Sequence, residues 1–319
     1  MNPQTSTLTV PSDFLAVSDL DEAQFAAALD LADQMKRAPA GFLDALPSET
    51  LACFFEKPST RTRVSFAAAA HRLGMLPLVL RPDELQLGRG ETVADTARTL
   101  AGFCAAIVIR TFAQATVAEL AEHSTVPVIN ALTDEHHPCQ ALADFLTLRE
   151  VFGHLDGLRL AYIGDSDNVA RSLIEAGALS GVDVVVASPP AYQPEAAERR
   201  QVIEFVASHH GHVTLVEDPR EAVSGAHAVY TDVWVSMGAE ADADRRRLEL
   251  APYQVTSELM AAAAPEAVFM HCLPAHRDEE VTADVIDGPA SVVWREAANR
   301  LPTEQAIVYA LITGGWGRS

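Results

Sequence analysis

The sequence predicts an α/β protein: two doubly wound parallel-sheet domains with a cleft between them and a C-terminal helix packing back on the first domain. Three observations predict it. Short apolar runs alternate with segments of helical period, the mark of strand–helix–strand units. The alternation breaks at Gly153-His154-Leu155-Asp156-Gly157 and then restarts. A last helical segment at 299–312 follows with no domain of its own. The expected division is therefore 1–150, joined by 299–319, and 151–298.

In the first series, Ser18-Asp19-Leu20-Asp21 reads as a capping box ahead of Phe25, Leu29, Leu31 and Met35 at near-helical spacing. Residues 51–55 read as a strand, 63–73 as a helix and 76–80 as a strand. Segments 92–103, 105–109, 115–121 and 126–132 continue the alternation, and 138–152 is an amphipathic helix. In the second series, strands are expected at 158–163, 182–187, 213–216, 228–233 and 268–271. Helices are expected at 169–179 and 195–206. The polar, glycine-containing stretches 81–91 and 237–247 read as long loops of the kind that border active sites.

At 319 residues and 49% hydrophobic content, the chain has material for two cores. Its net charge of −21 argues against nucleic acid or an anionic membrane as partner. Residues 1–12 are polar, which argues against a signal peptide, and no apolar run approaches the ~18 residues of a membrane span. Cys53, Cys104, Cys139 and Cys272 lack paired spacing, so reduced thiols and a cytoplasmic location are expected. Only Lys36 and Lys57 are lysines, which leaves Schiff-base chemistry two candidates.

Against that negative field, the run Ser59-Thr60-Arg61-Thr62-Arg63 stands out where a strand gives way to a helix. Helix-terminal N–H groups, two hydroxyls and guanidinium forks suit a phosphate. A capped helix with surface arginines would give the same run. Arg110 ends another strand, either as a solvated terminus or as a site residue, and gains weight if that end faces Arg61. His136-His137-Pro138-Cys139-Gln140 opens a helix; His137 and Gln140 suit a substrate carbonyl and amide, or simply a proline helix start. As a zinc site, His137 and Cys139 are too few and too close. Gly164-Asp165-Ser166-Asp167-Asn168 is no G-x-G-x-x-G fingerprint; it either caps a helix or offers Asn168 to an amino-acid group. Asp232, before Ser236-Met237-Gly238, places a carboxylate at a strand end; it either holds an ammonium or simply starts a loop. Cys272, in His271-Cys272-Leu273-Pro274, is either a buried thiol or a hydrogen-bonding one.

These residues resemble the carbamoyltransferases, and within them the ornithine carbamoyltransferases, over about 14–310. The resemblance rests on 59–63, on His137-Pro138-Cys139-Gln140, on Asp232 through Gly238 and on His271 through Pro274. It implies carbamoyl phosphate and L-ornithine as substrates, L-citrulline and phosphate as products, a step in arginine metabolism, and no metal or organic cofactor. It implies a homotrimer with interface active sites. It assigns Ser59, Thr60, Arg61, Thr62, Gln86, Arg110, His137, Gln140, Cys272, Leu273 and Arg300 to carbamoyl phosphate, and Asn168, Asp232, Ser236 and Met237 to ornithine. The catalytic set is then Arg61, Arg110, His137, Asp232 and Cys272. Asp167 stands where the family usually has Asn, Ala67 where Glu is common, Ala298 where Glu is usual, and Pro302 where His is usual. Rival readings are a carbamoyltransferase for putrescine or an acylated ornithine, or a non-catalytic ligand-binding paralogue.

Overall fold

A computed structural model describes residues 8–84, 90–236 and 240–317. The chain divides into two compact units, Met1–Leu142 with Arg300–Ser319, and Ala143–Asn299. The division falls eight residues earlier in the chain than the 150/151 boundary the sequence suggested, within the same helix.

The first unit runs α1 (Glu22–Arg37), β1 (Thr50–Phe55), α2 (Arg61–Arg72), β2 (Leu76–Leu80), α3 (Val93–Ala101), β3 (Ala106–Arg110), α4 (Gln114–His123), β4 (Val128–Leu132) and the start of α5 (Pro138–Phe152). Its four strands are parallel in the order β2-β1-β3-β4. Strands β1, β3 and β4 are buried almost throughout. That matches their unbroken apolar runs, since a parallel sheet is covered on both faces. Ala52, Phe54, Ile107, Ile109 and Val128 pack with Ala97, Leu100, Val117 and Leu120 of α3 and α4. Edge strand β2 leaves Leu76 62% and Leu78 40% exposed.

The second unit runs from the rest of α5 through β5 (Arg159–Ile163), α6 (Asn168–Ser180), β6 (Asp183–Ala187), α7 (Ala196–Ala207), β7 (His212–Val216), α8 (Pro219–Val223), β8 (Ala228–Tyr230), α9 (Ala243–Leu250), α10 (Ser257–Met260), β9 (Val268–Met270), α11 (Ala283–Ile286) and the start of α12 (Val293–Thr313). Its five parallel strands lie in the order β7-β6-β5-β8-β9. Gly177 lets α6 sit close on this sheet: a Cβ there would meet Val184 Cγ2 at 2.5 Å. Gly181 ends α6 at φ +75°, the left-handed conformation glycine adopts most readily. From Arg300 onward α12 belongs to the first unit, where Tyr309 meets Phe42 edge-on at 5.7 Å.

Several expectations shift. The capping box is formed by Asp21 and Gln24, not from Ser18: Gln24 N–H donates to Asp21 and Asp21 N–H to Gln24, both at 2.8 Å. Asp19 is used just upstream, accepting from the Leu15 and Ala16 N–H groups. Helix α2 begins at Arg61, two residues early, and α12 at Val293, six residues early, with Pro302 inside it. β8 stops at Tyr230 because the chain beyond turns into the loop carrying Asp232. The expected loop 237–247 contains most of α9, whose polar sequence leaves only Leu250 buried. Among the described residues, no helix is long and apolar enough to cross a membrane.

Candidate active site

In the first unit, β1 leads to β2 on one side and has β3 on the other, so the strand order reverses between β1 and β3. Ligands of open α/β sheets bind outside the strand C-termini at such a reversal. There the register sets Phe55 beside Arg110, and Glu56 N–H donates to the Arg110 carbonyl at 2.9 Å. The chain then crosses Lys57 and Pro58 into the start of α2. Thr60 holds the N-cap position without a side-chain bond; Ser59 takes over that task, its hydroxyl accepting from Thr62 N–H at 3.2 Å.

Arg110 is buried at the end of β3, not a solvated strand terminus. His137, just ahead of α5, is buried too. Burial, and then the nearby Arg300, Arg110 and Arg61 guanidiniums, hold its imidazole neutral, far below its usual titration range. One histidine thus reports three cations converging on it from α12, β3 and α2. Arg300, only 3% exposed, donates to Gln140 Oε1 at 2.6 Å and to Thr62 Oγ1 at 3.4 Å. The structure therefore gathers Arg61, Thr62, Arg110, His137, Gln140 and Arg300. Three guanidiniums, a neutral imidazole and a helix start together suit an anion, and His137 and Gln140 suit a carbonyl oxygen.

The second unit repeats the logic. Its strand order reverses between β5 and β8. After β5, Asp167 caps α6, accepting from Val169 N–H at 3.0 Å, so Asn168 is the first helical residue. After β8, Asp232 is buried and accepts from Val233 N–H at 2.7 Å and from the Cys272 thiol at 2.9 Å. Burial, and next Asp232, push Cys272 far above the usual thiol range. It is therefore held as a thiol that donates to Asp232. Ser236 is half-buried four residues past Asp232. Leu273 sits at φ +59°, held by its N–H on His271 Nδ1 at 2.8 Å. Gln86 and Met237 lie outside the described residues.

Asp167 is the departure with a visible consequence. Burial, then Asp232 and Asp165, raise it well above the usual carboxylate range. That direction favours the protonated acid, a neutral polar group like an asparagine. Asp165 differs because Arg246 is ion-paired to it, pulling against its burial.

The Asp232, His271 and Cys272 donor atoms lie within 4.8 Å of one another, a set that suggests a zinc-type ion. Both imidazole nitrogens are already engaged, however. Nδ1 accepts from Leu273, which makes Nε2 the donor to buried Glu280 at 3.2 Å. The residues do not fit a metal in this arrangement.

Sequence reasoning missed the supports beneath both halves. Lys57 is buried, ion-paired to Asp134, with its ammonium 4.4 Å from the Phe112 ring centroid. Beneath Cys272, the Tyr230 hydroxyl lies 3.3 Å from both Asp144 and Glu296. Glu296 also accepts from the His271 N–H at 3.0 Å. Burial and then Asp144 raise Glu296 well above the usual carboxylate range. These partners are scattered from 144 to 296, and no local pattern links them.

A two-domain fold with an anion site in one unit and an acid–thiol site in the other defines a class of group-transfer enzyme, and the chain belongs to the aspartate/ornithine carbamoyltransferase family. Residues 12–150 match the family's carbamoyl-P binding domain, and 156–311 its Asp/Orn binding domain. Among curated relatives, the ornithine carbamoyltransferase of Symbiobacterium thermophilum is 53% identical over 93% of this chain and 96% of its own length. That of Bacillus subtilis is 47% identical over 99% and 98%. Of solved structures, ornithine carbamoyltransferase from Pyrococcus furiosus superposes with a TM-score of 0.91 at 46% identity, covering 97% of this chain and 99% of that one. The Gloeobacter violaceus enzyme gives 0.85 at 42% identity, covering 97% and 100%.

Proposed function

We propose that the protein transfers the carbamoyl group of carbamoyl phosphate to the δ-amine of L-ornithine, giving L-citrulline and phosphate. The observation that carries this reading is the buried Arg300 bonded to Gln140 and Thr62 near His137, in a chain about half identical to ornithine carbamoyltransferases over nearly its full length. Ser59, Thr60, Arg61 and Thr62, with Gln86, hold the phosphate. Arg110, His137, Gln140 and Arg300 donate to the carbamoyl oxygen, where negative charge develops as the amine attacks. One such donor is typically worth about 3–4 kcal/mol in the transition state.

A free alkyl amine has a pKa near that of lysine, about 10.4, so ornithine arrives with a protonated δ-amine. Asp232 orients it and takes a proton, while Cys272, held as a thiol, donates to Asp232 and fixes its direction. Leu273 completes the carbamoyl phosphate set through its backbone, and Asn168, Ser236 and Met237 hold the α-amino and α-carboxylate groups. The new N–C bond forms, the C–O bond to phosphate breaks, and the phosphate leaves with the electron pair and a proton.

We also read the assembly as a homotrimer. Val64 on α2 and Leu76 and Leu78 on β2 are exposed, which suits contact with another copy. Four free thiols suit a reducing compartment, and we place the protein in the cytoplasm. An amine panel tests the acceptor: ornithine, putrescine and N-acetylornithine are offered with carbamoyl phosphate and products are identified by mass. Citrulline must dominate; a carbamoylated putrescine or acetylcitrulline as main product overturns the reading.

A further inference from the structure

We infer that Glu304 positions Arg300 for carbamoyl phosphate, a role that rests on reading Arg300 as a contact to that substrate. Glu304 lies one turn beyond Arg300 on α12 and is fully buried. Its Oε1 accepts from both Arg300 Nε, at 3.0 Å, and Arg300 Nη2, at 2.6 Å. This fixes the plane of the guanidinium, and the remaining edge carries Nη1 to Gln140 and Nη2 toward Thr62. A buried arginine needs a partner charge, and a carboxylate on its Nε side leaves the other edge directed at the anion site. Three residues of the carbamoyl phosphate set are thus tied to one carboxylate that touches no substrate itself.

The groups around this carboxylate make it the one that changes charge near neutrality. Burial raises Glu304 to about 7, with Arg300 and Ser65 of α2 pulling it down. Cys53 on β1 and Cys139 on α5 feel its charge but are held as thiols by burial. His137, ahead of α5, is held neutral, and Arg61 and Arg110 stay cationic. When Glu304 takes a proton, Arg300 loses its charged anchor. The anchoring is therefore present above pH 7 and lost as pH falls through it.

The test compares KM for carbamoyl phosphate in the wild type and Glu304→Gln from pH 6 to 8.5 at saturating ornithine. Taking the ratio of the two cancels the substrate's own titration. The ratio is expected to be roughly tenfold at pH 8, one decade per 1.4 kcal/mol, and to approach one by pH 6. In an Arg300→Ala background, Glu304→Gln should add nothing, because it acts through Arg300. A ratio that does not vary with pH, or an equal effect in both backgrounds, overturns the inference. If Arg300→Ala itself leaves this KM unchanged, the reading of Arg300 as a contact is what fails. Should Glu304→Gln not fold, Glu304→Asp must raise KM yet keep the pH step.

Discussion

Replacing Asp232 by Asn isolates the ornithine half. Its carboxylate is buried, accepts the Cys272 thiol at 2.9 Å and the Val233 N–H at 2.7 Å, and is the acid we assign to the δ-amine. Asparagine keeps the shape and removes the charge. A hydrogen bond to a charged group is worth about 1.5–3 kcal/mol, so KM for ornithine should rise roughly 10- to 140-fold. KM for carbamoyl phosphate should rise far less, because most of the set assigned to it, all but Cys272 and Leu273, belongs to the first unit. Steady-state kinetics with each substrate varied in turn reads both values. The sulfur gives a second readout. Burial raises Cys272 most, and Asp232 next. Removing that charge should lower the thiol pKa, so iodoacetamide should alkylate Cys272 at a lower pH in the variant. An unchanged ornithine KM, or equal increases in both KM values, would refute this division of labour; an unshifted alkylation profile would refute the thiol–carboxylate coupling.

Arg61→Ala should show the reverse pattern, raising KM for carbamoyl phosphate by a comparable factor and leaving that for ornithine nearly unchanged in the same kinetic assay. For Asp167→Asn, the raised folded pKa means that Asp167 stabilises the fold fully below the unfolded carboxylate pKa and loses that contribution as pH rises through the folded value. Melting temperatures from pH 4 to 9 should therefore fall less with rising pH in the variant, with the capping bond to Val169 kept and ornithine turnover retained. Gly177→Ala should destabilise by about 1–3 kcal/mol, because the new methyl meets Val184 at 2.5 Å and the Val182 carbonyl at 2.9 Å. Denaturant unfolding monitored by circular dichroism measures it, and an unchanged midpoint would mean that α6 shifts off the sheet freely.

Much of this architecture was legible because the strands are continuous apolar runs. Thr50–Phe55 and Ala106–Arg110 could hardly be read otherwise in a sheet covered on both faces. The short helices α8, α10 and α11 escaped notice because four or five residues carry no period. Helix α9 was read as loop because Ala243–Leu250 is polar around its whole circumference. Pro302 obscured the true start of α12, nine residues upstream of it. At the site, Ser59–Arg63 and Asp232 could be read as local runs at element ends. The neutrality of His137, the raised pKa of Asp167 and the grip of Glu304 on Arg300 could not, since each depends on burial and on charges brought in from distant segments.

The central claim is carbamoyl transfer to ornithine, and simultaneous measurement of citrulline and inorganic phosphate tests it most directly. With both substrates present the two products should accumulate one for one, and omitting ornithine should abolish phosphate release above the spontaneous rate. Phosphate release that proceeds without ornithine, or that outruns citrulline, would contradict it.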